Sequence, residues 1–270
     1  MFTRKFTWVI TIILCIGLFA YFVYPGKTVC KTEFRNLRLE VKSLLNPPIL
    51  EPRDKVWLHR CDSAEKFSEL GSRYTEVEID VIFHQDAQKF ESSHDTVSLE
   101  KYPLEKILDA YKKQGLQQFI WLDFKNLSKD NQLDSLKELE RLVTLYGIQP
   151  TKIWVESTHY EYLKSFKNAG FKTSYYFPYY DFERMKPHEI EQVKDKTLDI
   201  AQSGNVDAIS FFGDYLDFIK RAAPLQHIRL LMWFDGTDRK DFEQSTFGKN
   251  ILADPSVEAV LVREKGKYHR

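Results

Sequence analysis

Acidic side chains stand near the ends of two consecutive apolar segments of the chain. Glu78 and Asp80 lie two residues apart in the segment Glu76–Phe83, and Asp123 lies near the end of Gln118–Lys125. Side chains two residues apart in a β-strand share one face, so Glu78 and Asp80 point the same way. Carboxylates held together away from water repel each other and favour a bound cation. The sequence therefore predicts an oxygen-rich site for Mg²⁺ or Ca²⁺ with these three carboxylates as ligands.

Basic and imidazole side chains accompany the carboxylates. His59 and Arg60 end the first apolar segment, His94 follows the second segment past a short loop, and Lys125 lies two residues after Asp123. Imidazoles titrate near neutral pH and suit acid–base work, and the two cations suit phosphate oxygens. Taken singly, each residue is more often an ordinary surface or salt-bridged side chain. Their joint placement at consecutive strand ends favours a functional site.

Eight short segments have the length and the β-branched or aromatic content of strands. They are Lys55–Arg60, Glu76–Phe83, Gln118–Lys125, Thr151–Ser157, Lys172–Tyr179, Asp207–Phe212, Ile228–Asp235 and Glu258–Glu264. Helical periodicity separates most of them, in stretches that end before Gly115, Gly147, Gly170 and Gly204. Eight strands that alternate with helices predict an α/β fold, the (β/α)₈ TIM barrel. An open, doubly wound sheet is the alternative.

Active sites of such barrels lie at the C-terminal ends of the strands. Glu156, near the end of the fourth strand, is a further candidate for the pocket, since an unpaired carboxylate there would sit near the cation. Other polar residues near strand ends are Ser157, Tyr176, Ser210 and Asp235. Ordinary loop polarity explains any one of these residues equally well.

The N-terminus differs from the rest of the chain. Arg4 and Lys5 precede an uncharged apolar run, Thr7–Tyr24, which is just long enough to cross a bilayer. The run ends in aromatic residues rather than in a small-residue cleavage site, which favours an uncleaved anchor over a signal peptide. We therefore predict a membrane anchor over residues 1–25, a lead-in over 26–54 and a barrel over 55–270.

The basic residues before the run favour a cytoplasmic N-terminus and hence an extracytoplasmic barrel, although Lys27 and Lys31 flank the other side. In that compartment Cys30 and Cys61 are either a disulfide pair or two unrelated thiols.

Charge and composition exclude some classes of protein. The chain has 39 lysines and arginines and 39 aspartates and glutamates, so its net charge is zero. A neutral chain without a strong basic cluster has no general attraction to nucleic acid, and we expect no nucleic-acid partner. At 43% hydrophobic residues the chain can bury a sizeable core, which excludes global disorder.

Four short motifs resemble the signature of glycerophosphodiester phosphodiesterases and their phospholipase C-like relatives. In that superfamily a His-Arg pair follows the first strand, Glu-x-Asp closes the second, His-Asp follows a loop, and Glu-x-Lys or Asp-x-Lys closes the third. The corresponding residues here are His59-Arg60, Glu78-Ile79-Asp80, His94-Asp95 and Asp123-Phe124-Lys125. The match covers Val56–Asn126, and Trp233 is similar to a pocket-lining tryptophan of several members.

The resemblance implies a divalent-ion site, an acid–base pair and two phosphate-binding cations. Glu78, Asp80 and Asp123 would hold the ion. His59 and His94 would be the acid–base pair, and Arg60 and Lys125 would bind the phosphate. The implied chemistry is attack on phosphorus, often by a neighbouring hydroxyl of the substrate, with one histidine taking a proton and the other protonating the leaving oxygen.

The chain departs from the superfamily pattern at three places. Cys61-Asp62-Ser63 replaces a glycine and a Pro-Glu-Asn-Thr stretch, the Asp-Gly turn before His-Asp is missing, and Asp123 replaces the commoner glutamate. The Asp-x-Lys form, together with a first loop that is shorter than usual, looks more like the sphingomyelinase D-like branch or a related divergent branch.

We expect a membrane-tethered, metal-dependent phosphoric diester hydrolase or lyase of lipid metabolism, acting on a glycerophosphodiester or a (lyso)phospholipid. The alternative is a non-catalytic tethered barrel that binds a phosphate-containing ligand or a partner.

Overall fold

The computed structural model of the chain describes residues 55–74, 76–94, 102–115, 118–224 and 227–264. The predicted anchor (1–25), the predicted lead-in (26–54) and Asp95 lie outside the described residues, and these predictions stay predictions. None of the helices in the described part of the chain combines the length and apolarity that crossing a bilayer requires.

Ten strands of the described residues form one sheet. They are β1 (Val56–Leu58), β2 (Glu76–His84), β3 (Lys89–Ser92), β4 (Tyr102–Pro103), β5 (Phe119–Phe124), β6 (Ile153–Ser157), β7 (Lys172–Tyr176), β8 (Ala208–Phe212), β9 (Arg229–Asp238) and β10 (Val257–Arg263). Each of the eight predicted strands corresponds to one of them. The fifth predicted strand ends three residues earlier than expected, at Tyr176.

Eight of these strands close into a ring. They follow one another in the order β1-β10-β9-β8-β7-β6-β5-β2, all neighbours are parallel, and β1 also pairs with β2 through Leu58 and Val77. A closed ring of eight parallel strands with surrounding helices is a TIM barrel. The predicted barrel is therefore confirmed, and the open sheet was the wrong alternative.

Strands β3 and β4 lie outside the ring. Strand β3 pairs with β2 in the antiparallel direction, with Val81 opposite Ser92, and β4 pairs with β3. The sequence had predicted only a short loop between the second strand and His94. That prediction was wrong, because the chain reverses after His84 and adds a hairpin to the edge of β2.

Helices connect the strands of the ring. They are α1 (Ala64–Leu70), α2 (Leu104–Lys113), α3 (Gln132–Tyr146), α4 (Leu163–Asn168), α5 (Pro187–Gln202), α6 (Leu216–Ala222), α7 (Arg239–Gln244) and α8 (Thr246–Ala253). Helices α2 to α5 coincide with the four predicted periodic stretches. Gly147 ends α3 in the left-handed conformation, with φ of +68°, as expected of a glycine at that position. The short helices α1, α6, α7 and α8 were not predicted.

Residues Phe242–Ala253, which include α8, belong to a different compact unit from the one that contains the ring of strands. Within the smaller unit, a β-carbon on Gly248 would stand 1.9 Å from the carbonyl oxygen of Phe242, so this packing requires glycine.

Three tryptophans form a floor across the interior of the barrel. Trp57, Trp121 and Trp154 are almost fully buried and belong to one apolar cluster with Ala208, Leu231, Ala259 and Leu261. The rings of Trp57 and Trp121 meet edge to face, with 6.1 Å between their centroids. Large apolar side chains from several strands are how a TIM barrel fills its interior, so the lower part of the barrel is solid core.

Candidate active site

A layer of polar side chains lies directly above the tryptophan floor. Asp123 and Glu156 each follow a floor tryptophan by two residues on the same strand, and His59 follows Trp57 by two residues directly after β1, so they face the same interior. The strand register then places Asp80 beside Asp123, and Asp123 beside Glu156. These residues lie toward the C-terminal ends of the strands, where TIM-barrel active sites are found.

The structure brings Glu78, Asp80 and Asp123 together. Each offers one carboxylate oxygen, and these oxygens lie within 4.8 Å of one another. Glu78 and Asp80 are 2% and 1% exposed. Burial, followed by the charge of Asp80, raises the pKa of Glu78 well above its usual range, and burial also raises the pKa of Asp123. Three crowded carboxylates of this kind are destabilised by their own charge and gain from a cation.

Lys125 supplies one cation to this cluster. Its ammonium lies 2.7 Å from Oδ1 of Asp80 and also contacts Asp123. Burial opposes the charged ammonium, but the carboxylates of Asp123 and Asp80 outweigh it and raise the pKa of Lys125 above its usual range. The other oxygen of Asp80, Oδ2, is buried and has no hydrogen-bond partner among the described residues. An all-oxygen cluster with such an atom fits a hard divalent ion such as Mg²⁺ or Ca²⁺.

The turn after β1 presents Arg60 to the same cluster. Arg60 has a φ of +54°, a left-handed conformation that is uncommon for a residue other than glycine. Its backbone N–H donates to Oε2 of Glu78 at 2.6 Å, and its Nε lies 3.8 Å from Oδ2 of Asp80. The backbone N–H of Cys61 donates to the carbonyl of Glu78 at 2.7 Å. The turn is thus tied to strand β2, and Arg60 Nε has no hydrogen-bond partner among the described residues.

Lys66 holds the turn from the other side, and the sequence did not predict this role. It belongs to α1, is 6% exposed, and donates from Nζ to the carbonyls of His59 at 3.0 Å and Arg60 at 2.7 Å. Ser63 caps the start of α1 by accepting from the N–H of Lys66. A serine at the helix start, followed by the acidic Glu65 in the first turn, is the signal in the sequence that could have located this short helix.

His59 is buried beside the carboxylates. Its Nε2 lies 3.8 Å from Oε2 of Glu78, and Nε of Arg263 lies 3.4 Å from its Nδ1. Burial, and then the positive charge of Arg263, lowers the pKa of His59 well below its usual range. The imidazole is therefore neutral at pH 7. The sequence had not suggested Arg263, which is 204 residues away.

Asp62 is a second residue that the sequence analysis did not assign to the site. Its Oδ1 accepts from the backbone N–H of Asp80 at 2.9 Å and from the hydroxyl of Ser92 at 3.3 Å. Burial, and then the charge of Asp80, raises the pKa of Asp62 to about 7. Asp62 stands in the segment where the chain departs from the superfamily pattern, and it secures Asp80 there.

His94 lies after β3 and is exposed, unlike His59. It is close enough to Asp123 to oppose, in part, the rise in the pKa of that carboxyl that burial causes. The structure therefore places His94 on the Asp123 side of the cluster, whereas Asp95 is outside the described residues.

Glu156 and Trp233 were also candidates for the pocket. Glu156 is 1% exposed, and burial, then the charge of Asp123, raises its pKa well above the usual range. Trp233 is stacked on Tyr176 at 6.1 Å between centroids and contacts Phe212 at 5.0 Å. Cys61 is fully buried and is not disulfide-bonded to another described residue, whereas Cys30 lies outside the described residues.

Solved structures show the same fold. A candidate glycerophosphodiester phosphodiesterase from Galdieria sulphuraria superposes with a TM-score of 0.55 and 15% identity over 81% of this chain and 96% of the other. A candidate glycerophosphoryl diester phosphodiesterase from Silicibacter pomeroyi superposes with a TM-score of 0.54 and 14% identity over 83% of this chain and 93% of the other. A glycerophosphodiester phosphodiesterase from Parabacteroides distasonis superposes with a TM-score of 0.51 and 16% identity over 78% of this chain and 93% of the other.

At these identities the likeness establishes the barrel fold of glycerophosphodiester phosphodiesterases for this chain. No protein-family model matches the sequence. No curated protein matches it either.

Proposed function

We propose that the chain is a metal-dependent phosphodiesterase that cleaves a glycerophosphodiester or a (lyso)phospholipid. The observation that carries this proposal is the cluster of Glu78, Asp80 and Asp123, with oxygens within 4.8 Å, beside the buried His59. The fold shared with glycerophosphodiester phosphodiesterases supports the same conclusion. In barrels, however, the site rather than the fold decides the reaction, so the roles below are argued from the side chains.

The three carboxylates would hold the divalent ion, Mg²⁺ or Ca²⁺. When bound, such an ion neutralises charge that develops on phosphoryl oxygens. Arg60 and Lys125 would contact the phosphate. Arg60 suits this role because its Nε is buried 3.8 Å from Asp80 with no hydrogen-bond partner among the described residues. A guanidinium there can donate to a phosphate oxygen.

His59 and His94 would exchange protons with the substrate. The neutral imidazole of His59 is the form that a proton acceptor needs, and its lowered pKa keeps it neutral at pH 7. His59 would take the proton of the attacking water or substrate hydroxyl. His94, on the exposed Asp123 side of the cluster, would give a proton to the leaving oxygen. The P–O bond to the leaving alcohol breaks as the new P–O bond forms, so both protons are accounted for.

The predicted anchor over residues 1–25 would hold the barrel beside a lipid substrate, on the extracytoplasmic side of the membrane. Its support is the uncharged apolar run after Arg4 and Lys5. Protease protection of the full chain in sealed membrane vesicles tests this placement.

The experiment that tests the activity uses the full chain in detergent micelles. Release of alcohol or cyclic phosphate is measured with glycerophosphodiesters and lysophospholipids, in Mg²⁺, in Ca²⁺ and in EDTA. The variants are His59→Ala and His94→Ala, and the matched control is His188→Ala, an exposed histidine at the start of α5. Turnover that EDTA and either site variant abolish, but the control keeps, supports the proposal.

A second candidate function is a barrel that binds a phosphate-containing ligand or partner without cleaving it. The exposure of His94 favours this candidate, because acid–base catalysis works best away from bulk water. A folded, metal-loaded chain that binds phosphate but turns over none of the diesters would decide for it.

A further inference from the structure

The polar layer of the barrel has a second cluster, a far wall made by Glu156, Ser174 and Ser210, beyond the carboxylates that would hold the divalent ion. These residues lie on β6, β7 and β8 and are 1%, 0% and 0% exposed. The strand register sets Ser174 beside Glu156, and Ser210 follows Ala208 of the tryptophan floor by two residues. All three side chains therefore face the interior above the floor.

Hydrogen bonds within the described part of the chain leave the far wall unsatisfied. Oε2 of Glu156 and both serine hydroxyls are buried and have no hydrogen-bond partner among the described residues. The hydroxyls lie close enough to Glu156 to oppose the rise in its pKa that burial causes, but they miss the length or the angle of a hydrogen bond. Buried polar groups are almost always partnered, so three such oxygens on neighbouring strands indicate a bound ligand.

The carboxylate of Glu156 is poorly compensated by the charges around it. After burial, the negative charge of Asp123 has the largest influence on the pKa of Glu156, and the opposing charge of Lys125 acts more weakly. The ammonium of Lys125 contacts Asp80 and Asp123 instead. A buried carboxylate stays ionised only with a cation close by, so the wall favours a positively charged ligand.

Aromatic side chains enclose the far wall from below and from above. Trp154 of the floor precedes Glu156 by two residues on β6. On the other side, Tyr176 and Phe212 each follow a serine of the wall by two residues on the same strand. Trp233 stacks on Tyr176 at 6.1 Å between centroids and contacts Phe212 at 5.0 Å. Between two such layers the dielectric constant is low, and the charge of the ligand has to match that of the wall.

Charge and ligand type together select the class of ligand. An anion is disfavoured by Glu156, and water alone pairs with the oxygens but brings no charge. A divalent ion beside a single carboxylate would keep a net positive charge in this enclosed space, which is costly to bury. One carboxylate and two neutral hydroxyls balance an ion with a single positive charge, and hard cations prefer oxygen ligands of these kinds.

We propose that Glu156, Ser174 and Ser210 bind a monovalent alkali cation, Na⁺ or K⁺, at a site separate from that of the divalent ion. Trp154 and Trp233 have buried indole N–H groups without a partner among the described residues. A water that stays on the ion can accept from an indole N–H while it coordinates, so a partly hydrated ion also serves these donors. The site neutralises Glu156 and does not depend on whether the barrel cleaves a diester.

Thermal unfolding in exchanged monovalent salts tests the site. The full chain is unfolded in micelles of a non-ionic detergent, at fixed Mg²⁺ concentration and constant ionic strength. N-methyl-D-glucamine chloride is replaced stepwise by NaCl, KCl or ethylammonium chloride. Na⁺ or K⁺ at ten times its dissociation constant should raise the thermal midpoint of the wild type by about 3–6 °C. The ion that acts at the lower concentration is the preferred one.

Four variants locate the effect. Glu156→Gln removes the charge and should abolish the rise, and Ser174→Ala/Ser210→Ala should increase the salt concentration that it needs by about tenfold or more. Ser157→Ala is the matched control, a buried serine on the opposite face of β6, and should keep the wild-type rise. Asp80→Asn, which removes a proposed ligand of the divalent ion, should also keep it. Failure of the proposed phosphodiesterase thus stays distinguishable from failure of this site.

Equal rises in the wild type, Glu156→Gln and the double alanine variant would place the ion elsewhere and overturn the proposal. Midpoints that are the same in alkali and N-methyl-D-glucamine salts would leave only water on the wall, which also overturns it. A rise with ethylammonium alone would identify an organic amine as the ligand instead. A double alanine variant that is less stable in every salt but keeps the full alkali rise would show a structural role for the hydroxyls, and the site would again be refuted.

Discussion

Replacing Lys66 by methionine tests how the turn after β1 is held. Lys66 donates two hydrogen bonds, to the carbonyls of His59 and Arg60, and is 6% exposed. Methionine has a similar length and is flexible and apolar, so it can fill the same space without donating. The substitution therefore removes the two hydrogen bonds and little of the packing.

The size of the effect follows from the two hydrogen bonds. Hydrogen bonds to charged groups contribute about 1.5–3 kcal/mol each, and the two carbonyls would lose their donors inside the protein. Burial lowers the pKa of Lys66, which shows that keeping the ammonium there has a cost that methionine avoids. We expect a net loss of about 2 kcal/mol in the free energy of unfolding, or roughly 4–8 °C in the thermal midpoint.

Calorimetry of Lys66→Met beside Lys137→Met measures this loss. Lys137 is an exposed lysine of α3 and controls for the change of residue type. Turnover of Lys66→Met should also fall, because the turn positions His59 and Arg60. A thermal midpoint of Lys66→Met that matches that of Lys137→Met would refute the reasoning, since the two hydrogen bonds would then contribute nothing.

The other predictions concern charge in the site. Mg²⁺ at 100 times its dissociation constant should raise the free energy of unfolding of the wild type by about 2.7 kcal/mol. In a thermal-shift titration, Asp80→Asn should lose most of this gain. Equal gains for the two proteins would contradict the metal site. Because the pKa of Asp62 is raised to about 7, the folded chain keeps a proton that the unfolded chain releases above about pH 4, so stability falls as pH rises toward 7. The stability of Asp62→Asn relative to the wild type should then grow from pH 5 to pH 7 in urea titrations with EDTA, and a constant difference would count against it. The lowered pKa of His59 changes stability with pH in the opposite direction, because the unfolded chain gains a proton below about pH 6.5 that the folded chain does not. Stability is therefore lost as pH falls, and His59→Gln should make this loss smaller in urea titrations. An unchanged loss would speak against a buried neutral imidazole.

The barrel was predictable because its strands depend on local composition. Each strand of the ring is a short run rich in β-branched or aromatic residues, and that preference is visible without knowledge of the neighbours. The carboxylates were predictable for a related reason, since a spacing of two residues in a strand sets a common face, and parallel strands bring their ends together. The structure accordingly has Glu78, Asp80 and Asp123 in one cluster.

The residues that hold this cluster in place were not predictable in the same way. Lys66 acts through backbone carbonyls, Asp62 through the N–H of Asp80, and Arg263 through an imidazole far away in the sequence. No spacing rule marks such contacts, because they form only once the chain has folded its turn after β1 or has closed its strands into a ring. Ser174 escaped for the same reason, since a single serine in a strand carries no sign of what it faces, and Ser210 was named only as one of several polar residues near strand ends.

The antiparallel strands β3 and β4 were also missed. Both are short, and the turn between β2 and β3 contains no Asn-Gly or Asp-Gly pair, the strongest local signal for a hairpin. The pairing of Phe83 with Phe90, rather than the turn, marks its register.

The most direct test of a metal-dependent phosphodiester-cleaving site is the rate of alcohol release against Mg²⁺ concentration, for the wild type and for Glu78→Gln. Glutamine keeps the size of Glu78 and can still accept from the N–H of Arg60. The wild-type rate should rise with Mg²⁺ to a plateau, and the variant should be at least about 100-fold slower at the same thermal stability. Equal rates for the two proteins, or a wild-type rate that EDTA leaves unchanged, would contradict the account.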